Sequence, residues 1–145
     1  MIVETALLEI GETEVPANSN KTKYGRWFGL DGVHWCGIFV SYVYAKSGHA
    51  LKGVGFSKGF AGCQTAVAYY RKHGKIVTDP QAGDIVFFDW NGDGRYDHTG
   101  IFEKWADAGN LFFSIEGNTA VGNDSNGGHV MRRKRSITQA IFVRP

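Results

Sequence analysis

Apolar residues in the first ten positions fall at helical spacing (Ile2, Val3, Ala6, Leu7 and Ile10), and Gly11 ends the run. This predicts a short amphipathic helix. Residues 15–34 (VPANSNKTKYGRWFGLDGVH) mix Pro, Asn, Ser and Gly with aromatics and show no sustained period, which predicts an irregular segment. Its Tyr24, Trp27 and Phe28 need burial, so the segment is expected to dock on the body of the protein. From Trp35 to Ser47 (WCGIFVSYVYAKS) nearly every position is apolar, and Gly48 supplies a stop. A helix apolar on every side belongs in the centre of a domain. Residues 60–73 (FAGCQTAVAYYRKH) predict a second helix with a cationic end, closed by Gly74.

Beyond Pro80 the texture changes. IVFFD at 85–89, TGIFEKW at 99–105, LFFSIEG at 111–117, HVMRRKR at 129–135 and AIFVRP at 140–145 are short, aromatic or β-branched, and separated by Gly, Asn and Asp clusters. They predict an antiparallel sheet of about five strands. Helices first and strands second predict an α+β fold with the helices packed on the sheet. No repeat, low-complexity tract or linker divides residues 1–145, which read as a single domain.

Composition narrows the function mainly by exclusion. A chain of 145 residues is the size of one domain and can bury a core. With 43% hydrophobic and 21% charged residues it is not a disordered chain. A net charge of +2 is too small to mark a nucleic-acid partner. No stretch approaches the roughly 18 consecutive apolar residues of a membrane span, so no membrane insertion is expected. The N-terminal run contains Glu4 and Glu9 and has no basic start, unlike a secretory signal. Synthesis in a cytosol is expected, and any action outside the cell would depend on release by another component. Two cysteines, Cys36 and Cys63, cannot build a disulfide framework, and a reducing compartment would keep both as thiols.

One of these thiols sits where a nucleophile belongs. Cys36 opens the predicted central helix behind a polar, glycine-rich approach. A free cysteine titrates near about 8.5, and a helix N-terminus beside a histidine lowers that by several units. Cys63 falls inside the second predicted helix among Ala and aromatics, with no such setting, so Cys36 is the candidate. Of five histidines, His34 is two residues from Cys36, a spacing that shares no helix face. His49 and His73 lie near helix ends in polar company, and His129 opens a strand. His98 begins a strand where a polar loop meets an apolar run (DHTGIF), so a rigid element would carry its ring. A third group must orient the imidazole. Glu116 ends the next strand in SIEGNT, and Asn118 follows two residues later on the same face.

The blocks HWCGIFVSYVY, GDIVFFD, DHTGIF and IEGNT, in that order, resemble the CHAP family of cysteine, histidine-dependent amidohydrolases and peptidases. The stretch NSNKTKYGRWFGLDG is similar to CHAP domains of bacteriophage endolysins. The resemblance runs from about residue 15 to the C-terminus. It implies a papain-like fold and cleavage of amide bonds in bacterial peptidoglycan by a monomer that requires no cofactor. It assigns Cys36 as nucleophile, His98 as base, and Glu116 with Asn118 as third and supporting residues. His34 before Trp35–Cys36 departs from the Pro or small residue often found there. Whether the bond cut is an N-acetylmuramoyl-L-alanine amide or a peptide cross-bridge stays open, and the alternative from another class is an inactive wall-binding module. A metalloprotein using Cys36, Cys63 and His98 lacks any CxxC or HxxxH pairing.

Three further features invite a reading. Asp89, Asn91, Asp93 and Gly94 match the start of a calcium loop, with Asp97 near its ninth position, but Gly100 stands where the bidentate Glu belongs. Structural calcium is one expectation for this loop, and a tight NGDG turn the other. The run Arg132, Arg133, Lys134 and Arg135 reads as a charge-guarded edge strand, or as an attraction to anionic wall polymers. Trp90 and Trp105 read as packing residues, with the lining of a substrate groove as the alternative for either.

Overall fold

In a computed structural model describing residues 1–145, four α-helices come first in the chain and one six-stranded antiparallel sheet follows. The helices are α1 (Ile2–Leu7), α2 (Lys23–Phe28), α3 (Cys36–Lys46) and α4 (Cys63–Lys72). The strands are β1 (Ile76–Val77), β2 (Ile85–Phe88), β3 (His98–Asp107), β4 (Leu111–Thr119), β5 (His129–Ser136) and β6 (Ala140–Val143). Strands β2 to β5 are sequential neighbours, and β6 returns to pair with β2, giving the order β1-β6-β2-β3-β4-β5. This is the expected α+β architecture.

The apolar stretch after Trp35 forms α3 as its all-round pattern requires. Ile38, Phe39, Val40 and Val43 are fully buried, in a cluster that also takes Ile85, Phe87, Ile101, Ile115 and Val143 from the sheet. The alternate positions Val86, Phe88, Phe102, Phe112 and Phe142 build a second apolar cluster on the opposite sheet face. Strand β2 is therefore buried on both faces, which is why IVFF reads as a continuous apolar run rather than an alternation.

Three elements differ from the sequence expectation. The irregular segment contains α2, whose N-terminus is capped by Thr22 accepting from Gly25 N–H and whose end is Gly29 at φ +90°. Six residues are too few for periodicity to reveal it. The second helix starts at Cys63 rather than residue 60, because Phe60 is held outside it. Phe60 N–H donates to Ser41 Oγ, and the single proton of that hydroxyl is shared between the carbonyls of Gly37 and Phe60, all at 3.0 Å. The sheet gains the two-residue β1, which pairs with β6.

Candidate active site

Cys36 is the first residue of α3, and Trp35 precedes it as an N-cap that supplies no side-chain hydrogen bond. The first N–H groups of the helix therefore have neither an intrahelical acceptor nor a side-chain cap. Trp35 itself is fully buried, and its indole N–H donates to Glu14 Oε1 at 3.1 Å. Strand β4 approaches this turn at Gly117. A Cβ there would lie 2.6 Å from Phe39 Cβ and 2.9 Å from the Trp35 ring, so only glycine permits the contact.

His98 is the first residue of β3 and is fully buried, whereas His34, His49, His73 and His129 are exposed. Ile101 pairs with Ile115, so continuing the register places Gly100 opposite Glu116 and His98 two residues along the same face. His98 Nε2–H donates to Glu116 Oε1 at 2.9 Å with both side chains out of solvent. Gly100 makes room, since a Cβ there would stand 2.7 Å from Glu116 Cγ. Nε2 is engaged by Glu116, Nδ1 has no hydrogen-bond partner, and Cys36 lies near enough to favour the protonated ring.

The Glu116 carboxylate is saturated. Its Oε1 also accepts from Arg135 Nη2 at 2.7 Å, and Oε2 accepts from Arg135 Nε at 2.9 Å and from the Ser114 hydroxyl. Burial alone would favour the neutral acid, but Arg135 and His98 together hold it ionised, down to about 2. For His98, burial pulls towards the neutral ring, and the partners Cys36 and Glu116 outweigh it, leaving the ring at about 9.

The second cysteine stands beside the first. Cys63 opens α4 as Cys36 opens α3, and the segment before it presses on the nucleophile's helix: a Cβ at Gly37 would be 2.7 Å from Ala61 O. The Cys36 thiol is held well below its ordinary range, first by the neighbouring Cys63 thiol, then by His98 and the Gly37 N–H, against the effect of burial. Cys63 is pushed well up by the same contact and by burial, and stays a thiol. The sequence placed Cys63 inside its helix with no special setting; the late start of α4 corrects that. The arrangement sets a thiol held low beside a ring held high and an ionised carboxylate, the chemical make-up that a cysteine nucleophile with an acid and an orienting group requires.

The remaining sequence candidates lie elsewhere. Asn118 is buried at φ +60°, next to a register shift between Glu116 and Thr119 against β5. Its left-handed backbone interrupts the strand alternation, and its amide bonds to the loop after β4 rather than to His98 or Glu116. Its amide donates to Asn126 Oδ1 at 3.1 Å and accepts from Gly128 N–H at 3.0 Å. In the 89–97 loop, Asp89 accepts from the backbone N–H groups of Gly92, Asp93 and Gly94. Asp93 accepts from Arg95 N–H and Asp97 from Trp90 N–H, while Asn91 donates to Asp89 and Asp93. These carboxylates close the turn on itself, and no three acidic, His or Cys side chains gather as a metal-ligand group. The side chains of Asp89, Asn91, Asp93 and Asp97 are thus engaged within the turn.

The basic run is not a uniform charged edge. Arg132 forms a two-pronged pair with Glu103, Arg133 bonds Thr119, the Ala120 carbonyl and Asp124, and Arg135 bonds Glu116 and Asp124. Three of its four cations are thus committed within the protein. Sequence reasoning missed Arg135 at the site; the available signal was strand alternation, which puts Arg133 and Arg135 on the opposite face from Arg132 and Lys134. Trp90 packs as expected, stacked on Phe88 at 4.6 Å, and Trp105 packs on the second cluster.

The protein-family model for the CHAP domain matches residues 28–118, from the end of α2 to the end of β4. No curated protein is similar enough to count as a relative. The match spans more than half of the chain and contains Cys36, His98 and Glu116, which the fold brings into one buried line. The chain belongs to the CHAP family, the cysteine- and histidine-dependent amidohydrolases and peptidases with activity of the peptidoglycan-hydrolase type.

Proposed function

We propose that this protein hydrolyses an amide bond of bacterial peptidoglycan through a Cys36 thioester. The observation that carries this reading is the buried succession of Cys36, His98 and Glu116, with the last two at 2.9 Å. The thiolate attacks the amide carbonyl, and the developing oxyanion lies at the uncapped start of α3, where free N–H groups and the helix dipole favour negative charge. His98 gives its proton to the leaving amine, and the C–N bond breaks to leave the thioester. The neutral imidazole then takes a proton from water, whose oxygen attacks the thioester and expels the thiolate. Glu116 holds the ring and offsets its charge in each protonated state. No step calls on a metal ion. Asn118, given its contacts, supports the loop beside the site and takes no part in proton transfer.

The substrate bond is either the N-acetylmuramoyl-L-alanine amide or a stem-peptide or cross-bridge amide, since the same catalytic set serves both. We assign the role to bacteriophage-induced lysis: a monomer made in the host cytoplasm and released to the wall by another component. Mass spectrometry of fragments released from purified peptidoglycan by wild type and by Cys36→Ala tests the reading. Fragments seen with wild type alone establish the hydrolase and their new ends name the bond. No release by either protein from walls of several chemotypes overturns it in favour of a binding module.

A further inference from the structure

We propose that Arg135 is a positioning residue of the catalytic pair, keeping Glu116 ionised and in one orientation so that Oε1 faces His98 Nε2. The inference deepens the cysteine-hydrolase reading and rests on it for the chemistry that is positioned. Arg135 lies on β5, beyond the residues 28–118 covered by the family match.

Glu116 is completely buried, and an unpaired carboxylate there would take up a proton. The guanidinium spans both of its oxygens, with Nε to Oε2 at 2.9 Å and Nη2 to Oε1 at 2.7 Å. This fork fixes the carboxylate plane as well as its charge, which a single ammonium could not do. Arg135 is itself held from two loops. Its Nη1 donates to Asp124 Oδ1 at 2.9 Å, and its planar group lies 4.8 Å from the Trp90 ring centroid. Trp90 is tied in turn through its indole N–H to Ser125 Oγ at 2.7 Å. Only 9% of the Arg135 side chain is exposed, so the clamp is preorganised. The charged or titratable groups facing Glu116 are His98 from β3 and Arg135 from β5, with Cys36 on α3 beyond His98 and Asp124 beyond Arg135. Ser114, on its own strand, adds a neutral donor. Without Arg135 the carboxyl would take up a proton at higher pH. His98 would then lose its anionic partner, and the Cys36 thiolate its imidazolium.

The test compares Arg135→Gln and Arg135→Lys with wild type in kcat and KM on solubilised peptidoglycan fragments and in the pH profile of Cys36 alkylation by iodoacetamide. Folding of each variant is checked by thermal melting. For Arg135→Gln we expect kcat to fall by roughly 10- to 100-fold with KM little changed, in the range of a perturbed acid–base step. The acid limb of alkylation should move up by about one pH unit, corresponding to a tenfold weaker preference for the thiolate. Arg135→Lys should recover part of both. A folded Arg135→Gln with wild-type kcat and profile overturns the proposal, as does a lower kcat with an unmoved alkylation profile, the mark of a merely structural role. If Arg135→Gln does not fold, Arg135→Lys decides: a smaller shift of the same sign supports the proposal and a superimposable profile overturns it. An alkylation shift in a protein whose wild type releases no wall fragments would sink the hydrolase reading and leave the clamp on the Cys36–His98 pair standing.

Discussion

His98 Nε2 and Glu116 Oε1 stand 2.9 Å apart, two positions off register on neighbouring antiparallel strands, with neither side chain reaching solvent. The contact occupies Nε2 and leaves Nδ1 without a hydrogen-bond partner, free to act in the proposed mechanism. Glu116→Gln keeps the shape and removes the charge that stabilises the imidazolium. We expect kcat to fall by about 10²- to 10⁴-fold, by analogy with loss of the orienting carboxylate in a catalytic triad. Fragment release at saturating substrate, beside an unchanged far-ultraviolet spectrum, measures it.

Cys63 neighbours Cys36 and favours its thiolate, and on the proposed mechanism it is not itself the nucleophile. Cys63→Ala should therefore remain active, while Cys36→Ala is inactive. Losing the Cys63 thiol raises the Cys36 thiol towards its ordinary value, so the acid limb of Cys36 alkylation should move up in pH. Wild-type activity above neutral pH with reduced activity near pH 5 is the expected pattern. An inactive but folded Cys63→Ala would reverse the assignment of the two thiols.

The pair also ties stability to pH. Glu116 is lowered from 4.5 to about 2, so its contribution is present above about pH 4.5 and is lost as pH falls through about 2. His98 is raised from 6.5 to about 9, so its contribution is fully present below about pH 6.5 and is lost as pH rises through about 9. Glu116 and His98 taken together favour the folded state most between about pH 4.5 and 6.5, and the lowered Cys36 thiol adds a contribution that grows with pH above that. Melting temperatures across pH 2–10 for wild type and Glu116→Gln should differ most in that window. Activity should extend higher, to the titration of the imidazolium near pH 9.

In the 89–97 loop the carboxylates are spent on backbone N–H groups, Asp89 alone accepting three. Asp89→Ala should destabilise the protein by about 1 kcal/mol, the usual scale for losing a side-chain cap on exposed N–H groups. With these carboxylates already engaged by the turn, millimolar calcium should leave the wild-type melting temperature unchanged. Differential scanning calorimetry with calcium and with chelator distinguishes this from a calcium-stiffened loop, which would melt several degrees higher with the ion.

Much of the molecule was determined by local sequence. The apolar run after Trp35 requires a buried helix, the short β-branched and aromatic segments after Pro80 require strands, and the starts of those elements mark Cys36 and His98. Glu116 was readable because neighbouring strands in a hairpin share a register, and its alternation with Ile115 puts it on the face of His98. Tertiary structure decided the rest, for reasons that no local pattern carries. Asn118 keeps the parity of Glu116 in the sequence, but a left-handed backbone at the register shift sends its amide to the 126–128 loop. Cys63 is 27 positions from Cys36 in the chain. Packing alone brings the starts of α3 and α4, and with them the two thiols, into one neighbourhood. Arg135 looked like one of four equivalent edge charges until the pairing of β4 with β5 set it beside a buried carboxylate. Periodicity specifies which face a side chain occupies; only the packed chain specifies which charge waits there, and burial turns that pairing into chemistry.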